Sequence, residues 1–287
     1  MEILHDIPVL RARLAEWRGD GLRIGLVPTM GNLHDGHLGL VEAARARADR
    51  AVVTVFVNPL QFGPQEDLAS YPRTLKDDAR RLSACGCHVL FAPSEANMYP
   101  RGRDAHTVVE VPGLSAQLCG ASRPGHFRGV ATVVAKLFNL VQPDLAVFGK
   151  KDYQQLMLIR RMAADLNMDI EILGLPTVRE PDGLAMSSRN AYLTAAERTR
   201  APALFRSLQA LAAAVAAGTP PAQAECEAVQ ALGAAGFEPD YVSVRRRADL
   251  APPQPQDTEL VVLAAAHLGR ARLIDNLELD REAAGVA

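Results

Sequence analysis

The chain has 287 residues, 48% of them hydrophobic and 22% charged, with a formal net charge of -2. Such a composition belongs to an ordinary globular protein, long enough for two domains, and it supplies no basic footprint for non-specific nucleic-acid binding. No apolar run reaches the roughly 18 residues of a membrane-spanning helix, and MEILHDIPVL at the amino terminus lacks the cationic start and cleavage site of a secretory signal. A cytoplasmic protein that binds neither nucleic acid nor membrane is expected.

Through the first 176 residues, short β-branched runs alternate with amphipathic stretches. RIGLVPT (23–29) reads as a strand with a helix over 38–49 after it, and AVVTVFVN (51–58) as a strand with a helix over 74–84. HVLFAP (88–93), a helix over 130–141, LAVFG (145–149), a helix over 153–167 and IEILGLP (170–176) continue the pattern. Several of these strands are apolar on both faces, as in a parallel sheet covered by helices on each side. The predicted class is therefore α/β: a Rossmann-like, doubly wound parallel sheet, assigned to residues 1–178. Cys85 and Cys87 lie beside one of its strands at a spacing that matches no common zinc pattern, and they read as buried structural thiols.

The next stretch, TVREPDGLAMSSRNAYLT, is polar and punctuated by Pro181-Asp182-Gly183, a composition that suggests a linker or mobile loop. Two Ala-rich helical segments follow (195–217 and 220–235), then strands near 240–246, 258–267 and 270–279. LVVLAAA (260–266) reads as a buried strand and APPQPQD (251–257) as a surface loop. Helices followed by strands predict a smaller α+β C-terminal domain over 179–287.

In a doubly wound sheet, ligands bind outside the carboxyl ends of the strands, so the segments directly after strands carry the chemistry. Neither GxxxxGK[ST] nor GxGxxG occurs there, which excludes a P-loop enzyme and an ordinary dinucleotide-binding domain. PTMGNLHDGH follows the first predicted strand instead, and it places His34 and His37 three residues apart at a helix start. Both imidazoles then share one face. A helix amino terminus with two imidazole donors favours a phosphate over a zinc ion, which usually takes further Cys, His or carboxylate ligands. A plain helix-start role remains open on these residues alone. Lys150, Lys151 and Asp152 after LAVFG, and Met186-Ser187-Ser188-Arg189 in the polar stretch, add the cationic and hydroxyl donors that stabilise charge developing in phosphoryl or adenylyl transfer.

Taken together, PTMGNLHDGH, FVNPLQFG, YPRTLKDD, RPGHFRGV, FGKKDYQQL and VREPDGLAMSSRNAYL resemble the pantoate–β-alanine ligase family of coenzyme A biosynthesis, over roughly residues 20 to 195. His-x-Gly-His alone is shared with a wider adenylyl-transferring superfamily, whereas NPLQFG and KDYQQL are more specific. The resemblance implies ligation of pantoate to β-alanine through a pantoyl adenylate, with ATP as substrate, magnesium present and a homodimer as the working form. It implies catalytic roles for His34, His37, Lys151 and Arg189. ATP would be bound by these four with Met30, Gly149, Asp152, Val178, Met186, Ser187 and Ser188. Pantoate would be held by Met30, Asn58, Gln61 and Gln155, whose neutral amides bond a carboxylate without quenching it. Asp77 and Asp78 are candidates for the magnesium environment, Arg123 is a candidate near the substrates, and His126 reads as a structural hydrogen-bonder. Lys150 departs from the family pattern, which commonly has an acidic or amide residue there. The β-alanine contacts are not implied.

Three rivals bear on the same residues. A nucleotidylyltransferase would leave AMP on its product, a non-catalytic nucleotide-binding or RNA-binding module would not need the full donor set, and a small aminoacyl-tRNA synthetase relative would need an anticodon domain that about 100 residues do not accommodate.

Overall fold

A computed structural model describes residues 1–64 and 66–282. Two compact units are present, one comprising Met1–Lys150 and Gln155–Pro176, the other Lys151–Gln154 and Thr177–Ala287. Among the described residues no helix is long and apolar enough to cross a membrane.

The first unit opens with β1 (Glu2–Leu4) and α1 (Ile7–Gly19), followed by β2 (Ile24–Thr29), α2 (Asp35–Arg47), β3 (Arg50–Val55), α3 (Leu75–Ala84) and β4 (Val89–Phe91). Two single-turn helices, α4 (Glu95–Met98) and α5 (Cys119–Ser122), precede α6 (His126–Val141), β5 (Leu145–Gly149), α7 (Tyr153–Asp165) and β6 (Glu171–Leu175). Every strand pair is parallel, in the order β1-β4-β3-β2-β5-β6. The chain winds from β2 outward to β4 and then returns to β5 on the other side of β2. The switch point lies between β2 and β5, where an open α/β sheet leaves a crevice at the strands' carboxyl ends.

The predicted strands and helices of this sheet are all found, with shifts at their ends. α6 starts at His126, four residues before the predicted start, after a left-handed Gly125 with φ of 83°. β3 ends at Val55, three residues before the predicted end, and a single 3-10 turn, Pro59–Gln61, capped by the Asn58 side chain, follows. β1 and α1 had no counterpart in the sequence reading. α1 carries a proline in its first turn and buries Leu10, Leu14 and Trp17, spaced four and three apart on one face. Burying each of these side chains stabilises the unit by about 1.5–3 kcal/mol. Cys87 fits its reading as a buried structural thiol, with Sγ 3.2 Å from the Val89 carbonyl and a pKa that burial pushes up to about 12, whereas Cys85, in the turn after α3, is only partly buried.

The second unit contains α8 (Ala195–Arg200), α9 (Ala203–Ala216) and α10 (Pro221–Ala234), then the antiparallel sheet β7 (Glu238–Arg246), β8 (Glu259–Leu268) and β9 (Ala271–Asp280). Leu204, Leu208, Leu211 and Val215 of α9 share one buried cluster with Val244, Val262 and Ala264 of the sheet. LVVLAAA forms the centre of β8 and is buried throughout. The single helix expected over 195–217 is two, because Pro202 has no N–H to donate to the turn before it and instead caps α9. The stretch expected as a linker or mobile loop is bonded internally. Gly183 donates to the Glu180 carbonyl at 2.9 Å, Glu180 to Leu184 at 2.8 Å and Met186 to Val178 at 2.9 Å, making a small hairpin. A 3-10 turn over Ser188–Tyr192 follows it.

Candidate functional site

At the switch point of the first unit, β2 runs into Met30 and a tight turn at Gly31. Gly31 has φ of 83°, and a Cβ there would stand 2.9 Å from Val55, so both backbone and space require glycine. Asp78, on α3 and 1% exposed, fixes the turn from below. Its Oδ2 accepts the Asn32 N–H at 3.0 Å and the Thr74 hydroxyl at 3.2 Å, and its Oδ1 accepts the Leu33 N–H at 2.8 Å.

The anchored turn delivers His34 as the residue before α2 and His37 in its first turn. Their ring centroids are 4.0 Å apart, tilted by 42°. Residues three apart at the start of a helix face one way, as the sequence spacing predicts, and the rings stand beside the helix's unsatisfied N–H groups. His37 Nδ1 accepts the His34 backbone N–H at 3.3 Å. In the neutral ring the proton therefore sits on Nε2, which makes that nitrogen the ring's donor.

Met30, Asn58 and Gln61 come together in the same unit. The Gln61 amide Nε2 donates to the Met30 sulfur at 2.9 Å, and Asn58 Nδ2 donates to Gln61 Oε1 at 3.1 Å. Asn58 is locked further by the Gly129 carbonyl at 3.1 Å and by the Tyr99 hydroxyl, which donates to its Oδ1 at 2.7 Å. Burial pushes the Tyr99 phenol up, so it stays a neutral donor. Gly129 of α6 must lack a side chain, since a Cβ would lie 2.2 Å from the Leu60 carbonyl oxygen. The 58–61 turn thus rests directly on the helix backbone. Tyr99 and Gly129 had no place in the sequence reading of the site, which began this helix at 130, one residue after Gly129.

Arg123 and His126 also bear on this turn. Arg123 donates to both carboxylate oxygens of Glu66, at 2.7 and 2.6 Å, and to the Gln61 carbonyl at 3.2 Å. His126 Nδ1 lies 2.8 Å from the same carbonyl. Burial would raise the Glu66 pKa, but the Arg123 hydrogen bonds and charge outweigh it and hold the carboxyl below its usual range. Gly149 ends β5 in register with Leu175, and Gln155 lies in the first turn of α7.

Asp77 and Asp78 do not make an open metal-binding pair. The Asp78 oxygens are engaged by the turn, and Asp77 is exposed and paired with Arg80 at 2.9 Å. Among the described residues no three His, Cys, Asp or Glu side chains gather as a metal site. The residues present do not fit a protein-held magnesium centre.

In the second unit, Lys151, Leu184, Ala185, Ser187, Asn190, Leu204 and residues 273–275 of β9 line one cleft. Lys151 is largely covered and its Nζ stands 3.8 Å from the Asp152 carboxylate. The Ser187 hydroxyl accepts the Arg189 N–H at 3.2 Å, which fixes the turn carrying Ser188 and Arg189. Val178 is 42% exposed at the start of the hairpin, and Met186 pairs with its carbonyl. Lys150 belongs to the first unit, with its stem beside Gly174 on β6.

The family model described as Pantoate-beta-alanine ligase matches residues 2–278. Pantothenate synthetase of Thioalkalivibrio sulfidiphilus is 59% identical over 286 residues, covering 99% of this chain and 100% of the relative. That of Shewanella amazonensis is 58% identical over 275 residues, covering 96% and 98%. Among solved structures, pantothenate synthetase of Thermus thermophilus superposes with a TM-score of 0.90 at 47% identity, over 96% of this chain and 99% of that one. Pantoate-beta-alanine ligase of Francisella tularensis, described as complexed with beta-gamma ATP and beta-alanine, superposes with a TM-score of 0.81 at 32% identity, over 96% and 97%.

Proposed function

Since the chain belongs to the pantoate–β-alanine ligase family, we propose that it joins its two substrates through an adenylate. A pantoate carboxylate oxygen attacks the α-phosphorus of ATP, the bond to the β-phosphate breaks and pyrophosphate leaves. The β-alanine amine, in its neutral form, then attacks the acyl carbon of pantoyl adenylate. The acyl–oxygen bond breaks, AMP departs with that oxygen, and the nitrogen loses its extra proton to give the amide. Adenylation turns a poor leaving oxide into a good one, and fixed geometry makes each attack effectively intramolecular.

The observation that carries this reading is the paired imidazoles at the amino end of α2, with His37 Nδ1 engaged by the His34 N–H. Helix N–H groups and two imidazoles suit phosphoryl oxygens on which charge builds as pyrophosphate leaves. His34 and His37 are assigned to these phosphates, Lys151, Ser187, Ser188 and Arg189 to gripping the triphosphate, and Gly149, Asp152, Val178 and Met186 to the nucleoside side. The separate packing of the two lysines supports Lys151, rather than Lys150, as the phosphate lysine. Met30, Asn58, Gln61 and Gln155 are assigned to pantoate, and the bonded Asn58 and Gln61 amides beside Met30 support that choice. Magnesium is assigned to the nucleotide's own phosphates, as is usual for this ion.

The Francisella tularensis relative, described as complexed with beta-gamma ATP and beta-alanine, supports ATP and β-alanine as two of the substrates. Product analysis tests the reading. With pantoate, β-alanine and ATP, equal amounts of pantothenate, AMP and pyrophosphate are expected. ADP and phosphate, or a stable adenylylated product, would overturn it.

A further inference from the structure

Arg179 follows Val178 at the start of the hairpin that leads to Ser187. Its guanidinium grips Asp275 of β9 with two prongs, Nη1 to Oδ2 at 2.6 Å and Nη2 to Oδ1 at 2.9 Å. The Asp275 side chain is 2% exposed and that of Arg179 19%. The same guanidinium donates to the carbonyls of Gly183 at 3.1 Å and Asn276 at 3.4 Å, and its Cζ lies 3.5 Å from the Phe205 ring centroid. Next along β9, the Asn276 N–H is fixed by Asp275 Oδ1 at 2.8 Å, and its Nδ2 donates to the Lys151 carbonyl at 2.9 Å. Two separate pieces of chain, the Lys151 turn through Asn276 and the 178–189 hairpin through Asp275 and Asn276, are thereby tied to adjacent residues of β9.

A buried ion pair is weak evidence for stability, since apolar residues of similar volume often do as well. What it supplies here is geometry. The planar fork meets one carboxylate edge and two carbonyls while stacked on an aromatic face, which a single-point ammonium cannot reproduce. We propose that Arg179, Asp275 and Asn276 form a positioning unit that fixes Lys151 and the Ser187–Arg189 turn relative to each other for gripping the ATP triphosphate. The proposal rests on the phosphate-binding reading of those residues. None of the three touches a reacting atom; they act through the backbone they hold.

Arg179→Lys keeps the charge and loses the fork, and Asn276→Ala removes the side-chain tie to the Lys151 carbonyl while leaving the Arg179–Asp275 pair in place. In the full-length protein, both variants should bind ATP about tenfold more weakly by calorimetric titration and turn over more slowly, because small misplacements of binding groups are costly. Pantoate affinity should stay within about twofold of the parent, as its assigned residues lie elsewhere. A purely structural role would lower the melting temperature and leave the ATP affinity of the folded protein unchanged. Should Arg179→Lys fail to fold, Asn276→Ala decides: parental ATP affinity and kcat in that variant would overturn the proposal. If the parent binds ATP yet forms no pantothenate, the ligase reading fails, while the ATP titrations still judge the positioning unit.

Discussion

At the scale of single residues, His37 has two engagements that separate in a variant. Its Nδ1 is held within the helix start, and its Nε2 edge is the part assigned to phosphate. His37→Ala should lower the rate of pyrophosphate release with pantoate and ATP alone by about 10²–10³-fold, the usual effect of losing one donor to developing charge. The stability change should stay at about 1 kcal/mol, the scale of a modest hydrogen bond such as that to His37 Nδ1. Rapid-quench measurement of the first turnover checks the rate, and a parental rate would remove His37 from the phosphate site. Gly129 makes the opposite case, a residue with no chemistry and a strict steric role. Gly129→Ala presses a methyl group against the Leu60–Gln61 backbone, within 2.2 Å of an oxygen. A loss of about 1–3 kcal/mol in unfolding free energy is expected, together with weaker pantoate binding. Unchanged pantoate affinity would argue that the 58–61 turn does not shape that site.

Among elements, the turn from β2 into α2 depends on α3. Asp78 holds two backbone N–H groups of that turn with one carboxylate. Asp78→Asn replaces one acceptor by an NH2 that faces a donor, so about 1–3 kcal/mol of stability should be lost, and ATP should bind more weakly as the His34 turn loosens. Chemical denaturation and an ATP titration check both, and an unaltered ATP affinity would separate the anchor from the site. The same aspartate shows where sequence reading stops. The strand–helix alternation, the histidine spacing and the donor-rich segments after strands were all legible, because periodicity and local motifs lie along the chain. That Asp78 points inward to bond Asn32 and Leu33, 46 and 45 positions earlier, is set by packing of α3 and has no local signature. Pro202, by contrast, was a local signal for the break between α8 and α9 that a run of alanines obscured. The pairing of Arg179 with Asp275, 96 residues apart, is again a tertiary fact.

For the whole molecule, the two units place the proposed chemistry on different foundations. The first uses a parallel sheet whose switch point lies beside the paired histidines. The second fixes its cationic and hydroxyl donors on an antiparallel sheet through buried polar ties. Family membership establishes which substrates are joined; the route proposed for joining them runs through a carboxylate-bound AMP. That route has a direct isotopic consequence. With pantoate labelled with ¹⁸O in its carboxylate, one labelled oxygen forms the bond to the α-phosphorus and leaves with AMP when the amine attacks. Mass spectrometry of the products of one turnover should find one ¹⁸O in AMP for each pantothenate formed. AMP free of label, or label in inorganic phosphate, would contradict the adenylate and the phosphate-site roles built on it.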